Sequence, residues 1–139
     1  MKLEMRHVFP APRSRVFQGW TDPELLSQWF HPPGSTLLKA QIDLNVGGEY
    51  RFFLNNPEQG DFQISGIYRE IDIPEKLVFT WNNRLIHEHE TVVTLIFVEM
   101  GMNQTELLMT QEGFVSELIL SDYRQGWLVL LPVLESSIQ

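Results

Sequence analysis

The chain has 139 residues, 43% hydrophobic and 12% aromatic, with 18 acidic against 10 basic side chains and a formal charge of −8. This length supports one domain with a substantial core, and this charge argues against nucleic acid or an anionic membrane as partner, since both require clustered lysine and arginine. The absence of cysteine excludes disulfides, thiolate metal sites and cysteine nucleophiles, and fits a reducing compartment.

The opening Met1-Lys2-Leu3-Glu4-Met5-Arg6 carries no apolar signal core. The longest apolar run, Leu128 to Leu134, is too short to span a bilayer and contains Pro132. The expectation is a soluble, cytoplasmic protein forming a single domain over residues 1–139.

Leu3 to Phe9 reads as a first strand, closed by Pro10 and Pro12. Pro12 or Ser14 opens a short helix with Val16, Phe17 and Trp20 on one face. Thr21-Asp22-Pro23-Glu24 is a second helix start, a capping residue followed by proline at the first helical position. That helix carries Leu25, Leu26, Trp29 and Phe30 and stops at His31-Pro32-Pro33-Gly34. Strands are expected over Leu37–Leu44, Glu49–Leu54, Asp61–Ile73, Leu77–Trp81, Glu90–Met100 and Gln104–Gln111, separated by turn residues. Asn82 to Glu88 reads as a polar loop. From about Val115 the spacing becomes helical, with Tyr123, Trp127, Leu130, Leu131, Leu134 and Ile138 on one broad face. Pro132 is expected to kink this helix. Gly126 admits two readings: close approach of the helix to the sheet, or a local kink. The sum is an α+β fold: a curved antiparallel sheet, a long C-terminal helix across it and two short N-terminal helices closing the other end.

Five segments carry a family resemblance. They are Phe9-Pro10-Ala11-Pro12-Arg13-Ser14-Arg15-Val16-Phe17, Thr21-Asp22-Pro23-Glu24-Leu25-Leu26-Ser27-Gln28-Trp29-Phe30, Val46-Gly47-Gly48-Glu49-Tyr50-Arg51-Phe52, Leu77-Val78-Phe79-Thr80-Trp81, and Gly126-Trp127 with Leu130 and Leu131. Taken in order they cover nearly the whole chain and resemble the activator of heat-shock protein 90 ATPase homologue family, within the SRPBCC or START-like superfamily. The resemblance implies a helix-grip fold. It implies much less about activity: members of the wider superfamily bind lipids, sterols, polyketides or hormones, and some are cyclases. The iron ligands of the superfamily's hydroxylase branch have no counterpart in a chain without cysteine.

Candidate chemistry is sparse. His87-Glu88-His89-Glu90 offers two imidazoles on one side of an extended segment, and a metal site would need further ligands from His31, His7 or a distant acid. The plain alternative is a solvated loop, and no metal or cofactor is assigned. Tyr50 and Phe52 share one strand face and Arg51 and Phe53 the other. Arg51 and Arg69 read as solvent-facing, whereas Tyr50 and Tyr68 suit half-buried positions. No nucleophile elbow, phosphate-cradling loop or paired carboxylate is recognisable, so no catalytic residue is named.

The leading expectation is a protein that binds a hydrophobic small molecule between sheet and C-terminal helix, with Phe17, Trp20, Trp29, Phe53, Tyr68, Trp81 and Trp127 as candidate contacts. The alternative reading for each is ordinary core packing. Two other functions stand beside it: a chaperone-linked interaction module, and a cavity enzyme of cyclase or hydrolase type. A homodimer through a sheet edge or exposed aromatic patch is also open.

Overall fold

The computed structural model describes residues 1–83 and 89–139. Strand β1 (Lys2–Phe9) ends where Pro10 and Pro12 interrupt the supply of backbone donors. Pro12 then caps α1 (Arg13–Thr21) without a side-chain hydrogen bond. Asp22 caps α2 (Pro23–Trp29) by accepting from the backbone N–H of Glu24 at 2.9 Å. Six strands follow as a meander: β2 (Thr36–Ile42), β3 (Glu49–Asn56), β4 (Gly60–Asp72), β5 (Lys76–Asn83), β6 (Thr91–Gly101) and β7 (Gln104–Glu112). Helix α3 (Glu117–Ser137) closes the chain, with the Ser116 side chain accepting from the N–H of Ile119.

All seven strands form one antiparallel sheet in the order β1-β7-β6-β5-β4-β3-β2. Strand β1 therefore lies at the edge opposite β2, and α1 and α2 carry the chain between the two edges. Alternation turns one face of the sheet inward: Tyr50, Phe52 and Leu54 from β3, Ile64 and Tyr68 from β4, Leu77, Phe79 and Trp81 from β5. Helix α3 covers this face with Tyr123, Trp127, Leu130, Leu131 and Leu134, all buried. The arrangement is the expected helix-grip fold, an α+β architecture with two short helices closing one end.

Three details refine the sequence reading. Asn82 and Asn83 extend β5 rather than begin a loop, because they pair with Ser65 and Ile64 of β4. Pro132 lies within α3, which runs as one helix from Glu117 to Ser137. The proline stands on the solvent side, where the carbonyl it leaves unbonded can be hydrated. Gly126 makes no close approach to the sheet, since a Cβ placed there would meet nothing within 4 Å. His87 and Glu88 lie outside the described residues.

The tight approach occurs instead at Gly66. Tyr50 is paired with Gly66 across the β3–β4 ladder. Its ring passes over the glycine, and its hydroxyl donates to the carbonyl of Thr80 on β5 at 2.6 Å. The Thr80 hydroxyl in turn accepts from the N–H of Ile67 at 2.8 Å. A Cβ on Gly66 would overlap both the Thr80 carbonyl oxygen and the Tyr50 ring. The overlap is with backbone, so it cannot be relieved by a rotamer change. Gly66→Ala is expected to cost about 1–3 kcal/mol or more through overpacking, read as a lower urea midpoint with an unchanged slope.

Candidate functional site

Beneath the helices the inward aromatic residues enclose two adjoining chambers. The inner one lies between the α1–α2 pair and the sheet. Trp20 and Trp29 bound it from the helices, and Tyr50, Phe52, Tyr68 and Phe79 from the strands. Its free volume is about 10 Å³, roughly the room of one water molecule. The outer chamber lies between α3 and the sheet and has a volume of about 110 Å³. Pro32 and Pro33 form one wall, Ile64 and Asn83 the floor, and Tyr123, Gly126, Trp127 and Leu130 the roof, with Asp122 at the rim. Phe30 and Trp81 line both chambers and so form the partition between them.

Local chemistry explains why these side chains stand where they do. Trp29 is fixed by donating its indole N–H to the carbonyl of Gly19 at 2.7 Å, which ties α2 to α1. Trp81 donates to the Tyr123 hydroxyl at 2.9 Å, and Trp127 donates to the side-chain oxygen of Gln111 at 2.9 Å. Gln111 is itself buried and donates to the Thr91 hydroxyl at 2.9 Å. Tyr68 is held through its backbone by the β2–β3 turn, accepting from the N–H of Gly47 and donating to the carbonyl of Gly48. The Phe30 ring packs against other rings, among them Phe52 at 5.1 Å and Trp81 at 5.9 Å between centroids.

Of the residues named from sequence, Trp20, Trp29, Tyr68 and Trp81 come together around the inner chamber, and Trp81 and Trp127 meet at the outer one. Phe17 packs edge-on against Phe97 at 5.3 Å and lines neither chamber. Phe53 lies on the opposite face of β3 from Tyr50 and Phe52, half-buried and away from both chambers. The alternation of β3 already separated Phe52 from Phe53, and applying it strictly selects Phe52. Tyr123 and Gly126 were visible on the helix, but no sequence signal marks them as chamber walls. Arg51 and Arg69 are exposed and pair with Glu49 and Glu90. Among the described residues no group of three or more histidine, aspartate or glutamate side chains is placed to hold a metal, and no helix is long and apolar enough to cross a membrane.

The chamber walls are almost wholly apolar, and their tyrosines are set to remain neutral. Burial pushes the Tyr123 hydroxyl up to about 12, with hydrogen bonds from Trp81 and Asn83 opposing the shift. Burial, reinforced by neighbouring Tyr68, holds Tyr50 well above the usual range. Burial, and secondarily Asp43, raises Tyr68. For all three the folded value exceeds the unfolded one, so the folded state retains protons that the unfolded state loses. Stability is therefore expected to show no tyrosine-dependent loss below about pH 10 and to fall as pH rises from there through about 12. Urea unfolding combined with tyrosinate absorbance across that range checks it. Tyr123→Phe would leave the buried Trp81 N–H without its acceptor, an expected cost of about 1–3 kcal/mol in the same unfolding assay.

Comparison with solved structures gives the same fold throughout. A protein from Chromobacterium violaceum is 23% identical with a TM-score of 0.87, over 99% of this chain and 96% of the other. The AHSA1-like protein from Aeromonas hydrophila is 17% identical with a TM-score of 0.80, over 99% and 92%. An HSP90 activator from Plasmodium falciparum is 25% identical with a TM-score of 0.77, over 98% and 94%. A search of curated protein sequences gives no match. The family model described as Activator of Hsp90 ATPase homolog 1-like protein matches residues 10–138, and the chain belongs to that family.

Proposed function

We propose that this protein binds a compact apolar molecule in the outer chamber between α3 and the sheet. One observation carries the reading. Gly126 lines the chamber from α3, and a Cβ there would meet nothing within 4 Å, although alanine would raise helix propensity by roughly 1 kcal/mol. A helix built only to cover a sheet gains by filling that position, whereas a helix roofing a ligand site gains by leaving it empty. The chamber volume sets the size class. At about 110 Å³ it is well below the roughly 300–1,000 Å³ of drug-sized sites and near the roughly 150 Å³ of an apolar cavity that takes benzene. The ligand is therefore of single-ring or short-chain size.

Native mass spectrometry of freshly purified protein, compared with the denatured mass, tests this directly. A discrete extra mass that leaves on denaturation is expected. Gly126→Leu places a side chain in the chamber and is expected to abolish that mass. Its melting temperature should not fall, because leucine recovers helix propensity that glycine lacks. Retention of the bound mass in that variant would place the ligand elsewhere.

A second reading rests on family membership and on the likeness to a Plasmodium falciparum HSP90 activator. In it the acidic chain, formal charge −8, docks on a basic surface of the Hsp90 of its own organism. Binding should then weaken as salt rises. Absence of both capture at low salt and any change in Hsp90 ATPase rate would remove this reading.

A further inference from the structure

Three of the four indole N–H groups have acceptors: Trp29 in the Gly19 carbonyl, Trp81 in the Tyr123 hydroxyl, Trp127 in the Gln111 side chain. Trp20 is different. It is 6% exposed, and its buried Nε1 has no hydrogen-bond partner among the described residues. Buried polar groups in folded proteins are satisfied in the great majority of cases, so an orphaned donor calls for a cause. Phenylalanine in its place would supply an aromatic ring without the unpaired N–H. Trp20 lines the inner chamber, which at about 10 Å³ admits little more than one water molecule.

The partition of Phe30 and Trp81 separates that donor from the outer chamber. Trp81 is anchored by its bond to Tyr123, but the Phe30 ring packs against other rings. Phe30 sits at the C-terminal cap of α2, its backbone N–H donating to the Leu26 carbonyl at 2.8 Å, immediately before His31-Pro32-Pro33. Of the two partition side chains, Phe30 is the one without a hydrogen bond to break.

We propose that Trp20 Nε1–H is the specificity-determining donor of this site. The ligand lodges its apolar body in the outer chamber, displaces Phe30, and presents a carbonyl-type oxygen to Trp20 in the inner chamber. The substrate class is thus a small aromatic or cyclic compound bearing one hydrogen-bond acceptor, rather than a pure hydrocarbon. This inference rests on the cavity-binding reading above and adds the polar contact to it.

Acetophenone and ethylbenzene test it, because they have nearly the same shape and differ in a carbonyl. Each is titrated into wild type and Trp20→Phe, with calorimetry and the indole region of a ¹⁵N-correlated NMR spectrum as readouts. In wild type, acetophenone is expected to move the Trp20 indole proton downfield, and ethylbenzene is not. Trp20→Phe is expected to weaken acetophenone by roughly three- to tenfold, the worth of one neutral hydrogen bond. Ethylbenzene should be changed much less. Any packing defect in the variant affects both probes and cancels in their ratio, and the wild-type spectrum needs no variant to be informative beyond assignment. If both probes bind but the Trp20 resonance stays put, or the ratio is the same in both proteins, the donor role is overturned and cavity binding stands. If neither probe binds wild type, the cavity reading fails and this inference fails with it.

Discussion

Helix α3 is held against the sheet by two indole hydrogen bonds, and the geometry of everything beneath it depends on them. Trp127 reaches down to Gln111 on β7, which passes the contact on to Thr91 on β6, while Trp81 reaches up from β5 to Tyr123. Apolar contact alone is non-directional and would let a helix slide along a sheet to close any void. Directional bonds between buried groups do not permit that, because each one broken leaves a desolvated donor or acceptor. The helix is thus fixed at a height and register where its Gly126 turn spans open space.

The same residues that form the core form the chamber walls, and the polar groups among them are placed sparingly. Tyr50 spends its hydroxyl on the sheet, bridging β3 to β5 over Gly66. Tyr123 receives Trp81, and Gln111 receives Trp127. Neutral tyrosines, held still further above the physiological range chiefly by burial, give the site polarity without charge. Such a wall suits an uncharged ligand, since a buried ion would find no counter-charge on the inward faces.

The outer surface tells a separate story. Leu128, Val129 and Val133 are exposed on the solvent side of α3 beside Pro132. Scattered exposed apolar residues are normal on folded proteins. Membership of a family named for Hsp90 activation and an interior chamber are compatible within one molecule, because a chamber beneath α3 leaves the outer surface of the fold free.

Element order, strand and helix identity and most of the inward aromatic set were legible in the sequence, with Phe53 named in place of Phe52. Period-two and period-3.6 apolar patterns, prolines at corners and an Asp-Pro helix start are local signals, and local sterics enforce them. Family membership was legible for the same reason, as an ordered string of such signals. What sequence could not supply was the third dimension of spacing. Whether Gly126 packs closely or roofs a void depends on how far away the sheet lies, which the long-range bonds to Gln111 and Trp81 decide. Whether Pro132 interrupts its helix depends on which side of the helix faces water. The need for glycine at position 66 arises from Tyr50 and Thr80, on two other strands. The four tryptophans read alike in sequence; only packing leaves one of them, Trp20, with a buried N–H and no acceptor among the described residues. Periodicity is a property of neighbours along the chain, whereas an empty volume or an orphaned donor is a property of neighbours in space.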